Sequence, residues 1–230
     1  NLYGTVAIAN FNLTTNGSIG GAFTTSGTMN WNAGVLSAVM TIAPGGVLNI
    51  SGSATKTFFG TINNEGTVTW SGSGGIAAGL SGAFTNQSGG LFDVQGDATY
   101  FYSTGGQPSF NNAGLFRKSA GAGTTTFNSI PFSNTGTVEV QTGTLSFNSA
   151  FNNNATTRVL SGAGLVMSGG GVSSGTFDVA AGASANLGGG SFTFNPGMTF
   201  TGPGFFGVTS GINLYGTVAI ANFNLTTNGS

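Results

Sequence analysis

The 230-residue chain carries four Lys and Arg against five Asp and Glu, and neither His nor Cys; 39% of it is hydrophobic and only 4% charged. Four cations cannot build a phosphate-binding patch, and the missing residue types remove disulfides, Cys/His metal sites and His-based nucleophile activation. Twenty Phe supply enough apolar surface for a core, which excludes a disordered chain, and no run of about 18 apolar residues reads as a membrane span.

In chain order, the first stretch is Asn1 to Ser18, NLYGTVAIANFNLTTNGS, and residues 213 to 230 repeat it letter for letter. Chance does not produce that identity, so repeats decide the architecture. The reading is a chain cut from a longer array, with residues 1–212 as one module and 213–230 as the start of the next.

A shorter phrase recurs inside the module: Gly, then Thr or an aliphatic residue, then apolar, any, apolar. It appears as GTVAI from Gly4, GTMNW from Gly27, GVLNI from Gly46, GTVTW from Gly66, GLFDV from Gly90, GLFRK from Gly114 and GTVEV from Gly136. ATTRV from Ala155, GTFDV from Gly175, a degraded GMTFT from Gly197 and GTVAI from Gly216 complete the series. The anchors lie about 21 residues apart on average, so about ten short repeats fill the module.

Apolar and polar residues alternate within the phrase, which is strand periodicity. Val6 with Ile8, Val68 with Trp70 and Val138 with Val140 are expected to face inward. A large apolar residue often stands four before the anchor, as at Ile62, Phe110, Phe132 and Phe151, and a further apolar cluster follows a Gly/Ser-rich break. Each unit therefore predicts two or three short strands joined by Gly/Asn/Ser turns, with no capped 3.6-residue period to support a helix. Units this small cannot bury their own apolar face and must stack on their neighbours. The expected fold is all-β: a parallel β-solenoid of about ten coils of about 21 residues, with strands about 4.8 Å apart. A β-sandwich is the alternative, but it leaves the near-constant spacing of one phrase unexplained.

Stacked coils turn recurring positions into columns. The outward third position after the anchor holds Asp93, Arg117, Glu139, Arg158 and Asp178, with strictly alternating sign. In register these form a charge ladder that disfavours slippage. Asn stands two before several anchors, at Asn64, Asn112, Asn134, Asn153 and Asn195, where an amide ladder and turn chemistry are the two readings, compatible with each other. Lys118 falls at an inward position, where a lone ammonium is costly. The expectation is a local bulge that swings it outward; the alternative is a buried partner, in the extreme an amide crosslink to Asn or Asp. The remaining acids, Glu65 and Asp97, lie about one coil apart with no basic partner expected beside them. No catalytic, metal or cofactor site arises from this set.

The Asn134–Phe147 stretch, NTGTVEVQTGTLSF, resembles the repetitive passengers of bacterial secreted β-solenoid proteins, in the style of autotransporter and filamentous-haemagglutinin-like adhesins. That resemblance implies an extracellular or cell-surface location and no residue-level activity. The function expected is a structural filament of identical modules joined end to end, as in a biofilm matrix, sheath or stalk. Lateral fibre association and glycan or surface contacts are the further partners expected, with no nucleic acid and no membrane span. The alternative is the stalk of an adhesin whose binding tip lies outside this chain.

Overall fold

A four-residue strand whose side chains alternate in burial cannot stand alone; it needs partners on both edges and a covered inner face. The computed structural model, which describes residues 1–6, 10–14, 17–215, 217, 219–220 and 223–225, meets both needs by coiling. Each coil holds three strands, and each strand pairs in parallel with the strand three places later, giving three sheets of eleven strands. Phe132–Asn134, Thr137–Val140 and Thr144–Phe147 make one such coil; Phe151–Asn153, Thr156–Val159 and Gly164–Met167 make the next. The sheets are called first, second and third in that order. Among the described residues there is no helix, and hence none long and apolar enough to cross a membrane.

The anchor phrase is the second-sheet strand. In Thr137–Val140 the side chains of Val138 and Val140 are buried while Thr137 and Glu139 face out. The anchor glycine has a steric cause. A Cβ on Gly66 would overlap the carbonyl oxygen of Gly46, one on Gly114 that of Gly90, and one on Gly136 that of Gly114. At these three coils the preceding coil approaches too closely for a side chain, while one coil further on the same corner carries Ala155.

The interior is filled by in-register columns of apolar side chains. Phe84, Phe110 and Phe132 stack along the first sheet, with centroids 4.8 and 4.9 Å apart and planes within 6° of parallel. Phe116 of the second sheet and Phe127 of the third meet Phe110 edge-on at 5.4 and 5.5 Å. One ring from each wall thus closes the centre of the coil, in geometries that suit the ring quadrupoles.

The ends depart from the expected phase. The spacing of the phrase predicts that GTVAI from Gly4 stacks beneath GTMNW from Gly27. Instead Leu2–Val6 lies in the first sheet against Gly21–Thr25, and Asn10–Leu13 takes the place beneath Thr28–Trp31. Val6 therefore registers with Thr25, and Ile8 lies outside the described residues. Near the other end Thr176 pairs with Thr199, so the phrase begins one residue after Gly197; Thr199 then pairs with Ala219 rather than with Thr217.

The two copies of the repeated segment end in different sheets. Phe11–Asn12–Leu13 lies in the second sheet, whereas the same three residues at Phe223–Leu225 pair with Phe206–Val208 in the third. The coil that each copy pairs with differs. The first copy pairs with the coil on its C-terminal side, the second with the coil on its N-terminal side.

Candidate functional site: two columns and a buried lysine

The second-sheet register sets Asp93 against Arg117, Arg117 against Glu139, Glu139 against Arg158, and Arg158 against Asp178. All five share one outward column. They do not form a continuous ladder of ion pairs, however. Arg117 turns back and grips Asp93 with both prongs, Nε to Oδ1 at 3.1 Å and Nη2 to Oδ2 at 3.0 Å. Arg158 turns forward to Asp178, with Nε 3.4 Å from Oδ2. A guanidinium offers its fork in one direction, and both forks point away from the middle acid. Glu139 accepts from Gln141 Nε2 at 2.6 Å instead.

The two pairs differ in setting. The Asp93 side chain is 6% exposed and also accepts from Gln95 Nε2 at 2.9 Å, while Arg158 and Asp178 stand half in solvent. Burial works against the Asp93 carboxylate. Hydrogen bonds from Arg117, Ser119 and Gln95, with the Arg117 charge, outweigh it and hold its pKa below the ordinary carboxylate value. The Asp93 hydrogen bonds in turn raise the Arg117 pKa.

Beyond the two ion pairs the same column is still bonded. Asn30 Nδ2 donates to Asn12 Oδ1 at 2.8 Å and Asn49 Nδ2 to Asn30 Oδ1 at 2.9 Å; Thr201 Oγ1 donates to Asp178 Oδ1 at 3.2 Å. The outer column is therefore a bonded seam along much of the second sheet.

A second column runs inside, at the ends of the first-sheet strands. Asn64, Asn86, Asn112, Asn134 and Asn153 are all buried. Each of the first four donates Nδ2 to the Oδ1 of the next, at 2.7, 2.8, 2.8 and 2.8 Å. Each Nδ2 also reaches a backbone carbonyl of the following coil: Leu91, Leu115, Thr137, Thr156 and, from Asn153, Thr176, at 2.9 to 3.2 Å. The amides thus satisfy themselves and bridge one coil to the next, as buried polar groups must.

Sequence reasoning missed Asn86, because the turn before Gly90 is longer and puts the residue four positions before the anchor. Counting forward from the strand's large apolar residue would have found it: Ile62, Phe84 and Phe110 are each followed two places later by Asn. Asn195 is a correction in the other direction. Phe194 occupies the ladder position against Ser173, and Asn195 lies past the strand end in the turn. Ser173 closes the ladder, its Oγ donating to the Asn153 carbonyl at 2.8 Å.

Lys118 does not swing outward. It stays in strand register between Val94 and Val140, fully buried, and its side chain turns to the corner between second and third sheets. There Nζ donates to Asp97 Oδ1 at 2.7 Å, the Ala120 carbonyl at 3.0 Å, Thr125 Oγ1 at 3.1 Å and the Gly96 carbonyl at 3.2 Å. No bulge is needed because the corner supplies a counter-ion and three neutral acceptors. Asp97, expected to lack a basic partner, is that counter-ion. Partial burial disfavours its charge, but Lys118 and the Gly123 N–H, 2.9 Å from Oδ2, hold its pKa below the ordinary value.

A second lysine, Lys56, is equally buried but poorly served: among the described residues Nζ has one partner, the Gly52 carbonyl at 3.1 Å, and burial lowers its pKa. Sequence reasoning did not single it out, although Lys56 heads an alternating Lys-Thr-Phe strand that marks its side chain as inward.

A shallow groove of about 570 Å³ runs between the glycine corner and the outer column, over Gly90, Gly114 and Gly136 and past Leu91, Glu139 and Arg158. Ala113, Leu115 and Thr137 line it as well. It brings one carboxylate and one guanidinium to its rim, each already engaged by a neighbour. Among the described residues no three Asp or Glu gather into a metal-binding cluster. What the arrangement does chemically is hold coils in register. In comparisons with family models, characterised proteins and solved structures, the chain gives no match.

Proposed function

We propose that the chain is a structural filament protein, built of tandem β-solenoid modules and working outside the cell or on its surface. The observation that carries this reading is the uninterrupted stacking of eleven strands in each of three parallel sheets, with the residues that bear chemistry spent on joining coil to coil. The verbatim return of residues 1–18 at 213–230 supports continuation into like modules. The carboxylates of Asp93, Asp97, Glu139 and Asp178 all accept from Arg, Lys, Gln or Thr, which favours a scaffold over a catalyst. The stalk of an adhesin is the second reading, favoured by the same continuous, nearly uncharged solenoid.

The test is cryo-electron microscopy of the native material together with a chain of two complete modules. The filament reading expects long unbranched fibres with a layer line near 4.8 Å and about 48 Å of rise per ten-coil module. Finite rods bearing a distinct tip would favour the adhesin stalk. Compact particles without that spacing would defeat both.

A further inference from the structure

All the charged residues of the chain lie outside the first-sheet strands, from Leu2–Val6 to Gly211–Leu214. The outward face of that sheet carries two straight columns. One is small, with Ala22, Val39, Thr61, Ala83 and Ser109 in register; the other is Thr and Asn, with Thr41, Asn63, Thr85, Asn111 and Ser133 in register. The second column differs from the other polar columns in one respect. Inside, and on the second sheet, neighbouring asparagines bond to each other; here these five side chains make no hydrogen bond to any described residue. Their donors and acceptors are unspent.

We propose that this face docks a second copy of the same chain, first sheet against first sheet. The proposal goes beyond a filament of modules end to end, because it concerns lateral pairing and holds for a single module. Like faces that carry no charge do not repel each other, and amides and hydroxyls both donate and accept, so such a face is complementary to itself. The spacing argues for the same partner: groups repeating every ~4.8 Å are met coil for coil only by a surface with that period, which another copy has. The area suffices. Eleven strands about 13 Å long at ~4.8 Å spacing cover about 700 Å² per copy, and about 1,400 Å² in total lies within the range of specific interfaces.

Because the chain has no cysteine, single cysteines report the contact cleanly. The experiment is sedimentation velocity over a concentration series, with bismaleimide crosslinking of a Thr85→Cys variant and of a Thr57→Cys control on the outer face of the third sheet. The expected result is a reversible dimer, crosslinked through Thr85→Cys and not through Thr57→Cys. The double variant Thr85→Arg/Asn111→Arg, checked for its β-sheet circular dichroism, should weaken association about tenfold or more. A paired control, Thr57→Arg/Thr126→Arg, should leave it unchanged. A monomer at every concentration overturns the proposal. So does association that the first-face double variant leaves intact, which would assign contact to the strand edges or another face.

Discussion

Two columns of polar side chains climb overlapping coils of this solenoid, one inside and one outside, and they solve the same problem in different ways. The inner amides form a chain with one polarity, every Nδ2 donating toward the C-terminal neighbour, and no member lacks a partner. The outer charges, though perfectly alternating in sign, break into two ion pairs around Glu139. The amide carries a donor and an acceptor on one group and can serve both neighbours; a guanidinium carries donors only and faces one way. Solvent decides the cost of such a break. Outside, water serves whatever Glu139 lacks, whereas inside an unpaired amide would meet only Phe and backbone.

That contrast is sharpest at the middle of the inner column. Replacing Asn112 by Leu keeps the side-chain branching but removes two ladder bonds, leaving Asn86 Nδ2 only the Gly90 and Leu115 carbonyls and Asn134 Oδ1 only the Gly136 N–H, and should cost about 2 kcal/mol. Chemical denaturation with urea measures it directly. A cost below that of the outer-column variants would show that the inner ladder is not what joins these coils.

Lys118 and Asp97 lie between the two cases, one end buried and the other in reach of water. Asp97→Asn keeps the shape and removes the counter-charge. Loss of a buried pair's partner costs about 3–5 kcal/mol; because the Asp97 side chain is 35% exposed, screening reduces the expected loss to about 2 kcal/mol. The sign with pH comes from the lowered Asp97 pKa: its stabilisation is present above the ordinary carboxylate value of 3.8 and disappears as pH falls through that value and then through the folded one. The gap between wild type and variant should therefore narrow as pH falls from about 5 to about 2. A constant gap would assign the effect to packing.

In the outer column, Arg117→Glu places like charges beside Asp93 and Glu139 and should cost about 1–2 kcal/mol. Addition of Asp93→Arg should recover part of the loss, and thermal melts of the single and double variants measure that coupling. High salt should shrink the penalty less than it would for a fully exposed pair, since Asp93 is nearly covered.

The smallest expected effect has the opposite direction. Lys56→Met removes a buried ammonium with one partner among the described residues and should stabilise the fold by about 1 kcal/mol near neutral pH. The folded pKa of Lys56 lies below the ordinary 10.5, so between the two values the unfolded chain binds more protons and wild-type stability rises with pH. The advantage of the Met variant should fade toward pH 10.5, read from urea midpoints at several pH values. The same exchange at Lys118, where four acceptors surround Nζ, should bring no such gain.

Much of this was legible in the letters. The recurring Gly-x-apolar-x-apolar phrase located the second-sheet strands from Gly27 to Gly175, and the alternating charges located one outward column, because a period-two strand and a stacking coil convert spacing into position. The corner geometry was not legible. Asn86 hid behind a longer turn, Asn195 matched the motif yet fell past its strand, and Asp97 found Lys118 only because a corner folds them together. Spacing counts residues along the chain, while corners absorb different numbers of them.

The repeated eighteen residues mark where local information stops. Alternation, composition and repetition determined that this chain is all-β, coiled and stacked, since those properties belong to each segment alone. Which sheet a segment enters, which way an arginine turns and whether a buried lysine is served were decided only in three dimensions. The same Phe-Asn-Leu lies in the second sheet at one end and in the third at the other, because a strand's place is set by the edge of the coil it pairs with.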